Sequence, residues 1–124
     1  MPDTTDLIRK FFAAYEARDR DYVSAHMTDD FTFTSPYDDA IDKAAYFERC
    51  WPVSARVIKQ NVLECIIAEG GVAFVTYRCE THDGDTFRNT EFFVFEGERV
   101  KSIDVYFGAS YRDGIFVKQK SDGA

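Results

Sequence analysis

The sequence predicts an α+β fold in which three amphipathic helices come first and pack on a curved antiparallel sheet. Two observations carry this. Up to residue 51 apolar side chains recur mostly at helical spacing, whereas after residue 55 they recur every second position. The second half is also punctuated regularly, by Glu69-Gly70-Gly71, Asp83-Gly84-Asp85 and Glu96-Gly97-Glu98, which read as hairpin turns. A length of 124 residues with 45% hydrophobic content suits one domain with one core. A single domain over residues 1–124 is therefore expected, with its core at about 5–110 and a frayed polar end at 118–124.

Leu7, Ile8, Phe11, Phe12, Ala14 and Tyr15 form the stripe of a first helix between Asp3 and Arg18, with acids in its first turn where the helix dipole favours them. Asp19 can cap a second helix with Tyr22, Val23, His26 and Met27 on its inner face, ended by Asp29-Asp30. Phe31-Thr32-Phe33-Thr34-Ser35 alternates and stops at Pro36, a short strand with Phe31, Phe33 and Ser35 on one side. A loop is expected from Pro36 to Ile41. Asp42 can cap a third helix presenting Tyr46, Phe47, Cys50 and Trp51, and Pro52 forbids its continuation. Four strands then follow at about Val57–Ala68, Val72–His82, Thr86–Phe95 and Arg99–Gly108, joined too directly for parallel crossovers.

Several of these strands are apolar on both faces. One face covers the helices, and the other, with Phe92, Val94 and Tyr106, needs a second cover, for which a homodimer is the expected answer. The balance of 15 basic against 22 acidic residues gives a net charge of −7, the wrong sign for nucleic acid or anionic lipid. Charges interrupt every apolar stretch before the ~20 residues of a spanning helix, and the acidic start does not resemble a secretory signal. A cytoplasmic protein is expected. Cys50, Cys65 and Cys79 fit neither a zinc site nor a disulfide framework and read as free, mostly buried thiols. No metal or cofactor is expected, since the chain has no glycine-rich phosphate loop or ligand cluster.

The order helix, helix, strand, helix and meander resembles the cystatin-like cone of the nuclear transport factor 2 superfamily. Phe31 to Pro36, and the stretch from Phe87-Arg88-Asn89-Thr90-Glu91-Phe92-Phe93 through Gly97 to Val105-Tyr106-Phe107-Gly108, resemble its SnoaL-like branch, related to ketosteroid isomerase and polyketide cyclases. The resemblance implies a pocket enclosed between helices and sheet. It also implies what is missing: where the isomerase has its aspartate base before the strand-ending proline, this chain has Ser35, and where it has a helix-one tyrosine donor, this chain has Phe11. The acid of the third meander strand is retained in kind as Glu91.

Glu91 is accordingly the first candidate for chemistry. A carboxyl among Phe87, Phe93 and Phe95 is costly to ionise, so it can donate as well as accept, unless it is paired with Arg78 or Arg88 as a structural acid. Asn89 shares its face and can orient a polar group or satisfy a backbone. Tyr15, one turn after Phe11, can restore the lost donor or simply pack. Asp38, in the loop at the expected mouth, can replace the lost base or merely be solvated. Ser35, His26, Trp51, Tyr77, Phe93 and Phe107 complete the expected ligand-binding set, and for His26, Trp51 and Tyr77 ordinary packing is an equally open role. With 16% aromatic residues the chain has rings enough to line a cavity. The expected function is binding of a small, mostly apolar organic molecule, with acid/base chemistry of isomerase, cyclase or hydrolase type. The alternative is a non-catalytic ligand-binding or dimeric scaffold module.

Overall fold

The computed structural model describes residues 3–51 and 58–118. Helix α1 spans Thr4–Glu16, and the Asp3 carboxylate accepts from the backbone N–H of Asp6. Helix α2 spans Arg20–Ala25 and helix α3 spans Lys43–Arg49, capped in the same way by Asp19 and Asp42. Both expected caps, Asp19 and Asp42, form, and Asp3 adds a third, because an Asp side chain satisfies an N–H that the helix itself leaves unpaired.

The strands are β1 (Met27–Ser35), β2 (Asp38–Asp42), β3 (Ile58–Glu69), β4 (Val72–Thr81), β5 (Thr86–Glu96), β6 (Arg99–Arg112) and β7 (Ile115–Val117). They make one sheet in the order β2-β1-β6-β5-β4-β3, with β7 paired to β6. The meander β3 to β6 is antiparallel throughout, as its short turns require. The exception is β1, which lies parallel to β6.

That parallel pairing explains the largest departure from expectation. The second helix ends at Ala25 rather than at Asp29-Asp30, because Met27 pairs with Val100 and the His26 carbonyl accepts from the Val100 N–H at 2.7 Å. Sheet pairing here overrides the weak propensity of a short helix. Met27 therefore belongs to the strand, where it is 1% exposed. The expected loop from Pro36 to Ile41 is in fact a hairpin: Phe33 pairs with Ile41 and Ser35 with Asp38. At the other end β6 runs four residues past Gly108, and Asp113-Gly114 turns it back into β7. The positions of Pro52 and Val57, and of the tail after Lys118, lie outside the described residues.

The core sits between the helices and the concave face of the sheet. Ile8, Val23, Phe31, Val75 and Phe93 are essentially inaccessible, and rings tie the layers together: Phe11 meets Phe93 edge-on, Phe12 meets Tyr77, and Tyr46 meets Phe31 and Phe33. Fully burying a side chain such as Phe93 contributes about 1.5–3 kcal/mol. Bulges in β3, at residues 58–60 and 63–65, and in β6 between Phe107 and Ser110, opposite Asn89 and Phe87, sharpen the curvature. The curved sheet and the helices leave a cavity between them.

Candidate functional site

The cavity measures about 90 Å³ and is bordered by α1, α3 and strands β1 to β6. Strand parity decides which side chains reach it. On β5, Phe87, Asn89, Glu91 and Phe93 point inward, and their neighbours Arg88, Thr90, Phe92 and Val94 point outward. On β4 the inward row is Val75, Tyr77 and Cys79, directly opposite Glu91, Asn89 and Phe87.

At the floor, three polar side chains form a chain of hydrogen bonds. The Tyr77 hydroxyl donates to Oε2 of Glu91 at 2.5 Å, and the Asn89 amide donates through Nδ2 to the Tyr77 oxygen at 3.0 Å. The first distance is that of a charge-assisted O–H to carboxylate bond. Glu91 keeps some accessible surface, but it opens on the cavity and not on bulk water, so burial pushes its carboxyl up to about 7 while the bond from Tyr77 pulls the other way. Burial and the neighbouring Glu91 charge push the phenols of Tyr77 and Tyr15 well above their ordinary value. Pairing of Glu91 with arginine is overturned: Arg88 bonds Glu64 at 2.7 Å and Arg78 lies 3.8 Å from Glu80, both on the outer face.

Ser35 and Asp38 stand at the β1–β2 end of the cavity, Phe107 on its β6 side and Tyr15 on α1. The Ser35 hydroxyl accepts from the Tyr37 N–H, and Asp38 is held by Arg49 at 3.0 Å. Asp38 thus reaches the cavity from a strand, not from a loop. Trp51 does not border this cavity; its ring lies 5.0 Å from that of Tyr15 and lines a smaller recess behind it. His26 lies elsewhere, stacked on Tyr22 with Nδ1 2.8 Å from the Tyr22 carbonyl oxygen, because the early end of α2 turns it away from the core.

Asn61, Phe33 and Cys50 are among the lining residues that the sequence did not assign to the site. Asn61 faces inward because a bulge shifts β3 by one residue between Ile58 and Gln60, which strict alternation does not reveal. The cysteines are free, but only Cys79 is buried; Cys50 is intermediate and Cys65 exposed, since the second β3 bulge turns it outward. Burial pushes the Cys50 and Cys79 thiols up to about 12, with Asp38 adding to the first and Glu80 to the second. Among the described residues, no group of three or more His, Cys, Asp or Glu side chains is placed to hold a metal ion.

A cone of helices closed over a curved sheet, with a lined cavity between, defines a class of small pocket proteins, and the family follows from the sequence match. The chain belongs to the SnoaL-like domain family, whose model matches residues 8–103. Among solved structures it is similar to a nuclear transport factor 2-like protein of unknown function from Cytophaga hutchinsonii, at 20% identity and TM-score 0.72, covering 86% of this chain and 91% of that one. It is also similar to a proposed ketosteroid isomerase from Kribbella flavida (17%, TM-score 0.70, 86% and 78%). A proposed SnoaL-like polyketide cyclase from Jannaschia sp. CCS1 is similar as well (17%, TM-score 0.70, 83% and 83%). Identities this low carry the fold and no reaction. Among curated proteins none matches the chain.

Proposed function

We propose that the chain binds a small, mostly apolar organic molecule in the cavity and acts on it by proton transfer through Glu91. The observation that carries this reading is the Asn89–Tyr77–Glu91 chain at the floor of an aromatic cavity. A carboxyl with a pKa of about 7 exchanges a proton in either direction near neutral pH, which is what general acid/base catalysis of isomerisation or cyclisation requires. Tyr77 and Asn89 act as positioning residues, fixing one carboxyl oxygen and leaving the other toward the cavity. Tyr15 supplies a phenol on the opposite wall, braced by Trp51. Asp38, engaged by Arg49, is the less available carboxylate. The neighbours described as an isomerase and a cyclase are consistent with this reaction class.

We further propose a homodimer through the outer sheet face. Ile67, Phe74 and Phe92 lie in one row across β3, β4 and β5, with Phe74 and Phe92 rings 4.7 Å apart. Ile67 is 66% exposed, Phe74 50% and Tyr106 59%, whereas Phe92 and Val94 are half-buried, so the centre of the patch lies one strand further out than the sequence implied. No described helix is long and apolar enough to cross a bilayer.

A non-catalytic binding module is the second reading, favoured by the cavity's small volume and predominantly aromatic wall. Native mass spectrometry of the purified protein, followed by incubation of any copurified molecule with wild type and Glu91→Gln, separates the two. Conversion by wild type alone supports catalysis. An unchanged molecule released equally by both supports binding only, and an empty cavity at every ligand concentration tried overturns both.

A further inference from the structure

We infer that the cavity is built for an organic ammonium: a small apolar molecule carrying a protonated amine. The inference rests on the small-molecule reading above and adds the charge and polarity of what enters. Among the described residues bordering the cavity, the ionic ones are Glu91 and Asp38, both acids, and no Lys, Arg or His borders it. Arg18 and Lys59 line the adjoining recess behind Tyr15, which shares Tyr15, Ile58 and Asn61 with the cavity, and Arg18 is engaged there by the Ile58 carbonyl, to which it donates.

The second observation is independent of charge. Asn89 is only 5% exposed, yet its Oδ1 accepts no hydrogen bond among the described residues. The hydrogen-bond chain fixes the orientation of its amide. Tyr77 has one hydroxyl proton and gives it to Glu91, so the Tyr77 oxygen accepts from Asn89 Nδ2, and Oδ1 is left as the free end. Asn61 leaves its Oδ1 in the same condition, across the same cavity. A buried carbonyl without a donor costs about 1–3 kcal/mol, so two of them bordering one cavity point to a ligand that brings N–H groups.

An ammonium brings three donors and a positive charge. Oε1 of Glu91, which accepts nothing among the described residues, supplies the counter-charge, and the faces of Phe11, Phe93 and Tyr77 supply cation–π attraction. The net charge of −7 favours approach of a cation. A cavity of about 90 Å³ is smaller than the roughly 150 Å³ that takes benzene, so the ligand is a short open-chain amine, or one that projects through the mouth.

The test is an NMR titration at pH 8 with propylamine, propan-1-ol and butanoate, which share a propyl group and differ in charge. At that pH Glu91 is ionised, while the other groups facing it, Tyr15 from α1, Tyr77 and Cys79 from β4, and Cys50 after α3, stay neutral because burial raises each of them. Asp38 is ion-paired to Arg49. The amine is expected to bind at least ten-fold more tightly than the alcohol, and the carboxylate more weakly than either. Glu91→Gln should abolish the amine's advantage over the alcohol. Wild type at pH 5.5, with Glu91 protonated, should lose the same advantage, which keeps the test intact if the variant folds poorly. Alcohol or carboxylate binding as tightly as the amine, or an amine preference that survives both perturbations, overturns the ammonium assignment and leaves small-molecule binding standing. If none of the three binds at saturable concentration, both fall together.

Discussion

Replacing Glu91 by Gln removes a pH dependence of stability that no structural ion pair would produce. Burial raises the Glu91 pKa from 4.5 to about 7, and each tenfold gain in proton affinity is worth about 1.4 kcal/mol. Because the folded-state value is the higher one, the native protein holds this proton more tightly than the unfolded chain. The associated stability is complete below pH 4.5 and is lost as pH rises through about 7. Wild type therefore forfeits roughly 3 kcal/mol across that window from this group alone. Gln keeps the shape and hydrogen-bonding atoms but has no proton to lose, so the two proteins should be nearly equal in stability at pH 4.5 and diverge to about 3 kcal/mol, in favour of Gln, at pH 8. For a chain of this length that is a difference in Tm of roughly 10 °C. Urea melts of both proteins at half-unit pH steps measure it, since every other titrating group is common to the pair and cancels. A stability difference independent of pH, or a Glu91 carboxyl resonance titrating near 4.5, would refute the reasoning.

The remaining expectations concern the sheet and the thiols. Light scattering should give twice the 14.2 kDa chain mass, and Phe74→Glu should reduce it to the monomer, because a charge at the centre of the Ile67–Phe74–Phe92 row cannot be buried against its own copy; a dimer indifferent to that change would move the interface elsewhere. In a thiol-reagent assay at pH 8, Cys65 should react in the folded protein and Cys79 only after denaturation, with Cys50 slowed by its raised pKa. Gly108→Ala should destabilise the protein by at least about 1–3 kcal/mol in a urea melt, because its Cβ would fall on the backbone carbonyl oxygen of Arg88, which cannot swing aside as a side chain can.

The fold was legible because its signals are local. Two Asp caps, a helical stripe and three glycine turns each specify an element from a few adjacent residues, and the meander strands begin and end close to where the turns put them. What was not legible depends on partners distant in sequence. The pairing of β1 with β6 shortened α2 and carried His26 off the inner face, and nothing near His26 announces a strand about seventy residues later. The bulges of β3 reversed the parity of its two halves, which brought Asn61 inward and Cys65 outward. On β5 alternation is preserved over the stretch from Asn89 to Phe93, and there the sequence put Asn89, Glu91 and Phe93 on the cavity side, where they lie.

The same contrast bears on how this cavity can work. In the isomerase that the sequence resembles, an acid base sits at the end of the first strand and a helix tyrosine meets the oxyanion. In this chain the corresponding Ser35 accepts from the Tyr37 N–H, and the corresponding Phe11 packs against Phe93. Neither position supplies a protonatable group, so the polar floor is made instead by β4 and β5, where Tyr77 and Asn89 hold Glu91 from the sheet side. Moving the polar centre from the helix wall to the sheet also changes its sign. Tyr77 gives its proton to Glu91 and not to the cavity, and Asn89 gives its N–H to Tyr77, so what is left facing inward is carbonyl and carboxylate oxygen. An oxyanion would meet these acceptors unfavourably, whereas a group that arrives with protons would satisfy them. Under the proposed proton transfer, a reaction at this floor would begin by Glu91 taking a proton from the ligand, with Tyr77 stabilising the carboxylate beforehand, and any developing negative charge would have to be met by the phenol of Tyr15 on the far wall.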